Sequence, residues 1–147
     1  MFRNILVPTD GSAPSRKAIR RAVQLAKEQN ARITGFYVGA PWQLPLYGEY
    51  VPPEILSPKA HATAVRKTAA RYLGAVKKAA AVAGVSCMCA YVMGERPYEE
   101  ILKAARRNRC DLIVIASHGR RGISRLLLGS ETSKVLAHTR IPVLVCR

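Results

Sequence analysis

Residues 111–133 read DLIVIASHGRRGISRLLLGSETS, and the order of residue types in them decides the architecture. Leu112, Ile113, Val114, Ile115 and Ala116 form an apolar run too short for a helix and rich in β-branched side chains. That is the pattern of a strand buried on both faces of a parallel sheet. Ser117, His118 and Gly119 end the run, and a loop carrying Arg120, Arg121, Gly122 and Gly129 follows. Ser130 is the expected N-cap of a helix beginning at Glu131. A strand, a glycine-rich loop, a hydroxyl cap and a helix together aim backbone N–H groups at an anion. Glycine permits positive φ and close approach, while the helix N-terminus adds unpaired N–H groups and the positive end of its dipole. A phosphate site is therefore one reading, and a surface loop with ordinary turn glycines is the other.

Working outward, the chain repeats this grammar. Residues 4–7 form a short apolar strand ended by Pro8, Thr9, Asp10, Gly11 and Ser12, a second strand end with polar equipment. Ser12 and Pro14 open a helix to about Gln29, whose apolar positions Ala18, Ile19, Ala22, Val23 and Ala26 recur at helical spacing. Residues 32–38 are expected as the second strand, 61–83 as an Ala-rich helix stopped by Gly84, and 85–92 as the third strand. Pro97 starts a helix with Glu99 and Glu100 in its first turn and Arg106 and Arg107 in its last, matching the dipole. The last helix ends near His138, and residues 143–146 form a final strand. Residues 39–58, with five prolines, Trp42, Tyr47 and Tyr50, read as an inserted loop that either covers a ligand or packs on the sheet end or a second subunit.

Five strands alternating with four helices imply an α/β fold: one doubly wound parallel sheet with helices on both faces, Rossmann-like, in a single domain spanning 1–147. In such sheets ligands bind where strand order reverses. With the order 3-2-1-4-5, the reversal lies between strands one and four and brings the two polar loops together.

Composition bounds the function. The net charge of +15, from 24 Lys and Arg against 9 Asp and Glu, draws polyanions without selecting sequence. The basic residues are spread over several helices, so weak, salt-sensitive polyanion binding is expected. The residues contain no zinc-finger spacing and no RNA-binding signature. No apolar run approaches a membrane span, and Met1 leads straight into a strand pattern, so a cytoplasmic protein is expected. Cys87, Cys89, Cys110 and Cys146 show no CxxC and read as reduced thiols; Cys87 and Cys89 share a strand face and read as packing rather than metal ligands.

The stretches ILVPTDGS at the N-terminus and ASHGRRGISRLLLGS followed by IPVLV resemble the universal stress protein family over nearly the whole chain. The family's nucleotide-binding members carry Gly-x2-Gly-x9-Gly-Ser/Thr after the fourth strand. Here the pattern falls on Ala116, Gly119, Gly129 and Ser130, with alanine in place of the first glycine. An added methyl at Ala116 either crowds the nucleotide or is tolerated where φ stays negative. The resemblance implies the 3-2-1-4-5 order, a homodimer and, in one branch of the family, ATP in the crevice, with Mg2+ expected beside it; the open edge of the strand at 143–146 is where the dimer is expected to form. Asp10 would then hold the ribose or base, the backbone of Val38 would face adenine, and Gly119, Gly129 and Ser130 would wrap the phosphates. Pro8, Thr9, Ala116, His118, Arg120, Gly122, Glu131 and Thr132 complete the candidate set.

Individual residues carry duller readings beside these. His118 either touches phosphate or bonds backbone within its loop. Arg120, Arg121 and Arg125 either clamp phosphate or point to solvent. Glu131 reads as a first-turn acid rather than a catalytic base. The loop matches neither the P-loop nor the dinucleotide fingerprint, and no nucleophile–base pair declares itself. The expected function is an ATP-binding, homodimeric stress-response regulator, set against a scaffold with an empty crevice or a basic polyanion-binding module.

Overall fold

A computed structural model describes residues 1–44, 50, 52, 57–120 and 127–147. Gly122, Arg121, Arg125 and Tyr47 lie outside the described residues. Among those described, the strands are β1 (Asn4–Pro8), β2 (Arg32–Gly39), β3 (Cys87–Met93), β4 (Leu112–Ala116) and β5 (Val143–Cys146). The helices are α1 (Ala13–Gln29), α2 (Pro58–Ala83), α3 (Pro97–Arg107) and α4 (Ser130–His138). Every strand pair is parallel and the order is β3-β2-β1-β4-β5, as expected.

β1 and β4 are buried along their whole length, which is why both read as unbroken apolar runs. Their side chains alternate between two cores. Ile5, Val7, Leu112 and Val114 join Ala18, Ala22 and Val76 beneath α1 and α2. Leu6, Ile113 and Ile115 join Phe36, Leu102 and Val135 beneath α3 and α4. The period-two pleat thus divides one sequence run between two layers of helix.

Helix ends follow local chemistry. Ser12 Oγ accepts from Ser15 N at 3.2 Å to start α1, and Asn30 closes that helix at φ 53°. α2 begins at Pro58, three residues before the expected His61. Ser57 Oγ accepts from Ala60 N at 3.0 Å, and proline supplies a helical φ at the first position. β3 begins at Cys87 rather than residue 85, because the N–H of Val85 donates to Ala80 O in closing α2 past Gly84.

Cys87 and Cys89 sit on the α2 side of the edge strand β3, their sulfurs 3.8 Å apart. The hydrogen bond to Cys89 holds the Cys87 thiol down at about 7, while the same bond and burial push Cys89 up. Burial also raises Cys110 and Cys146. Since the thiolate is the nucleophile, Cys87 should alkylate fastest of the four as pH rises through neutrality, with Cys110 and Cys146 responding only at higher pH. Mass-spectrometric mapping of iodoacetamide adducts against pH checks this; equal labelling of Cys87 and Cys146 at neutral pH would refute it.

Candidate functional site

β1 and β4 diverge at their carboxyl ends because their following helices, α1 and α4, pack on opposite faces. A crevice of about 860 Å³ opens there. It is lined by all twelve described candidate residues: Pro8, Thr9, Asp10, Val38, Ala116, His118, Gly119, Arg120, Gly129, Ser130, Glu131 and Thr132. Gly122, the thirteenth, is outside the described residues.

Asp10 clasps the two loops. Its Oδ1 accepts from Ser12 N at 2.9 Å and its Oδ2 from Arg120 N at 3.0 Å. The Arg120 guanidinium is held within the protein, bonded to the first loop and to α2. Nε donates to Asp10 O at 2.9 Å and a terminal nitrogen donates to Tyr72 Oη at 2.8 Å. The guanidinium also lies 5.2 Å from the Tyr72 ring centroid. Tyr72 stacks edge-on against Tyr37 at 5.2 Å and presses on Gly11, whose φ of 75° and missing Cβ are both required there. Burial, chiefly, raises the Tyr37 hydroxyl above its ordinary range.

The second loop is tied to the end of β4. Gly129 N donates to Ser117 O at 2.6 Å, and the Thr132 hydroxyl donates to Ala116 O at 2.8 Å. Gly129, not Ser130, is the N-cap, with φ −61° and ψ 152° and no side-chain cap hydrogen bond. Committing the Gly129 N–H to Ser117 holds that residue extended, so the helical turn starts one residue earlier than expected, at Ser130. The first-turn N–H groups of Ser130, Glu131 and Thr132 have no acceptor within α4, and these residues line the crevice. Neither Gly119 nor Gly129 has positive φ. Glycine is needed for space instead: a Cβ on Gly129 would stand 3.0 Å from His118 Cα and 3.3 Å from Ser117 O. One on Gly119 would stand 2.5 Å from Asp10 Oδ2.

Ala116 keeps negative φ, and its methyl belongs to the core beneath α1. His118 Nδ1 bonds the buried Ser117 hydroxyl at 3.0 Å, a side-chain partner within its loop where one of the two readings had a backbone bond. Glu131 is in the first turn of α4, and its Oε2 accepts from Tyr98 N at 2.9 Å, capping α3 from outside since Arg96 offers no side-chain cap.

The opposite wall was missed in the sequence. Phe36, Ala40, Gly94, Glu95, Pro97 and Ile101 line it. The signal was present, because Gly94 to Pro97 is another loop at a strand's carboxyl end. What brings it here is register: Val38 pairs with Val92, and Gly94 N donates to Gly39 O at 3.0 Å. The crevice thus has an apolar end at Phe36, Val38 and Ile101 and a donor-rich end at the start of α4.

The family model for the universal stress protein family matches residues 1–147. The chain belongs to the universal stress protein family. Universal stress protein YxiE of Bacillus subtilis is 37% identical over 151 residues, with each chain covered completely. Among solved structures, MJ0577 of Methanocaldococcus jannaschii superposes with a TM-score of 0.82 at 25% identity, over 99% of this chain and 96% of its own. A universal stress protein in complex with cAMP shares the fold at TM-score 0.68 and 23% identity, over 98% and 95% of the two chains. Among the described residues, no helix is long and apolar enough to cross a membrane, and no group of three or more metal-ligating side chains occurs.

Proposed function

We propose that this universal stress protein binds an adenine nucleotide, ATP with Mg2+, and acts as a homodimeric, nucleotide-linked stress-response regulator in the cytoplasm. One observation carries the reading: a single crevice of about 860 Å³ is lined both by the apolar side chains of Phe36, Val38 and Ile101 and by the donor-rich start of α4. Adenine would stack at Phe36 and Ile101 and meet the backbone of Val38. The ribose would lie by Asp10, whose carboxylate oxygens each retain acceptor capacity. The phosphates would take the N–H groups of Ser130, Glu131 and Thr132, where the helix dipole favours negative charge. Mg2+ would ride on the phosphate oxygens near the Ser130 hydroxyl. That a protein of this fold has been solved with cAMP supports an adenine-nucleotide ligand. Calorimetry with ATP and Mg2+, together with assay of nucleotide released on denaturing the purified protein, tests the reading. An empty protein that takes up no ATP would leave the scaffold and polyanion-binding roles.

The dimer would form through β5, an edge strand with open backbone groups. Val143 and Val145 lean on the core beneath α3 and α4, so changing them would confound folding with association. Leu144 is 42% exposed and makes the cleaner test. Leu144→Lys should sediment as monomer while keeping the parent's circular dichroism; an unaltered dimer would remove β5 from the interface.

A further inference from the structure

The paired thiols of β3 have no part in the nucleotide crevice, and they stand at the opposite edge of the sheet from β5. We propose that Cys87 and Cys89 form a bis-thiolate site for a soft, low-coordinate metal ion, with copper(I) as the cation the geometry suits. Both sulfurs point to the α2 face, half-buried and 3.8 Å apart. Two sulfurs bound at about 2.3 Å stand about 4.0 Å apart around a trigonal ion and about 4.6 Å apart around a linear two-coordinate one, so the pair opens by less than about 1 Å to share one.

A disulfide fits this frame badly. Residues two apart on a strand have Cα atoms about 6.8 Å apart and parallel side chains, whereas a disulfide draws the Cβ atoms to about 3.8 Å. Closing that bond would buckle β3 within its pairing to β2, which runs from Ile33↔Cys87 to Gly39↔Met93. A shared ion spans the gap without moving the backbone.

The surroundings make room for the pair. Gly35 on β2 lies beneath it, and a Cβ there would stand 2.8 Å from Cys89 Sγ and 3.1 Å from Val76 Cγ1. Its missing side chain is what admits the second sulfur under α2. Zinc(II) wants four ligands, and no cluster of three or more His, Cys, Asp or Glu occurs among the described residues. Copper(I) is soft, is selected by thiolates, and is satisfied by two or three ligands. On binding, each thiol releases its proton to solvent as a sulfur lone pair forms the metal bond, and no electron is transferred. The resulting two-sulfur centre carries one net negative charge, which the neighbouring Lys77 ammonium offsets.

The test is an anaerobic titration of the reduced full chain with copper(I) against bicinchoninate as coloured competitor. The parent should withdraw about one equivalent per chain, and Cys87→Ser and Cys89→Ser should each hold it about tenfold or more weaker. Cys110→Ser and Cys146→Ser should match the parent. In the unaltered chain, copper(I) should shield Cys87 and Cys89 from iodoacetamide and leave Cys146 labelling unchanged, a check that needs no variant to fold. Equal copper uptake by folded Cys87→Ser, no withdrawal by the parent, or undiminished labelling of the pair would each overturn the site.

Discussion

Gly129→Val is expected to lose ATP binding by about a hundredfold or more while remaining folded, equivalent to about 2.7 kcal/mol of binding energy. The reason is steric. A Cβ there meets His118 Cα at 3.0 Å and Ser117 O at 3.3 Å, and main chain cannot swing aside as a flexible side chain can. The branched valine therefore lengthens the 2.6 Å bond from Gly129 N to Ser117 O and lifts the first turn of α4 from the end of β4. The N–H groups proposed to hold the phosphates move with it. At φ −61° the residue itself is unstrained, so the stability loss should be that of overpacking, about 1 to 3 kcal/mol. Gly74→Ala is the control. It lies within α2 with nothing within 4 Å of a new Cβ, and it should gain about 0.5 to 1 kcal/mol with binding unaltered. Calorimetry with ATP and Mg2+, beside urea unfolding, reads both effects. Parent-like affinity in folded Gly129→Val would remove this loop from the phosphate site.

Asp10→Asn should weaken ATP about tenfold and destabilise the protein by about 1 to 2 kcal/mol, nearly as much as Asp10→Ala. The substitution conserves shape but not acceptors. Both carboxylate oxygens receive backbone N–H groups, from Ser12 and Arg120, and an amide can accept at only one of them. Its NH2 would then face an N–H donor. Losing the Arg120 N–H bond loosens the second loop, which stays tied to the first only through Arg120 Nε and Asp10 O, so inorganic triphosphate binding should fall together with ATP binding. This differs from the result for a residue that touches only the nucleoside. Retention of triphosphate affinity in Asp10→Asn would show that Asp10 touches the nucleoside without organising the loop.

Much of the candidate site was legible because strand ends and glycine loops are local features. Pro8, Thr9 and Asp10, like Gly119 and Gly129, follow short apolar runs, and the crevice gathers both sets. Side-chain partners were less legible. Arg120 read as a phosphate clamp or a solvated residue, yet its partners are Asp10 O and Tyr72, which lie 110 and 48 residues away. Glu131 read correctly as a first-turn acid, but its cap on Tyr98 N crosses 33 residues. Such bonds depend on where separate elements land, and no local pattern encodes that.

The sequence by itself determined the alternation of strands and helices, since hydrophobic period, capping residues and glycine stops act within a few positions. Through ILVPTDGS and ASHGRRGISRLLLGS it also carried the family, and with it the strand order. Only the tertiary structure decided which residue caps α4, why Gly129 must be glycine, and that Gly94, Pro97 and Ile101 build the far wall of the crevice. It likewise decided that Cys87 and Cys89 share a space opened by Gly35 on the adjacent strand. These are matters of distance between backbones that meet through register and packing, and a chain's residue order specifies such distances only once every strand and helix is in place.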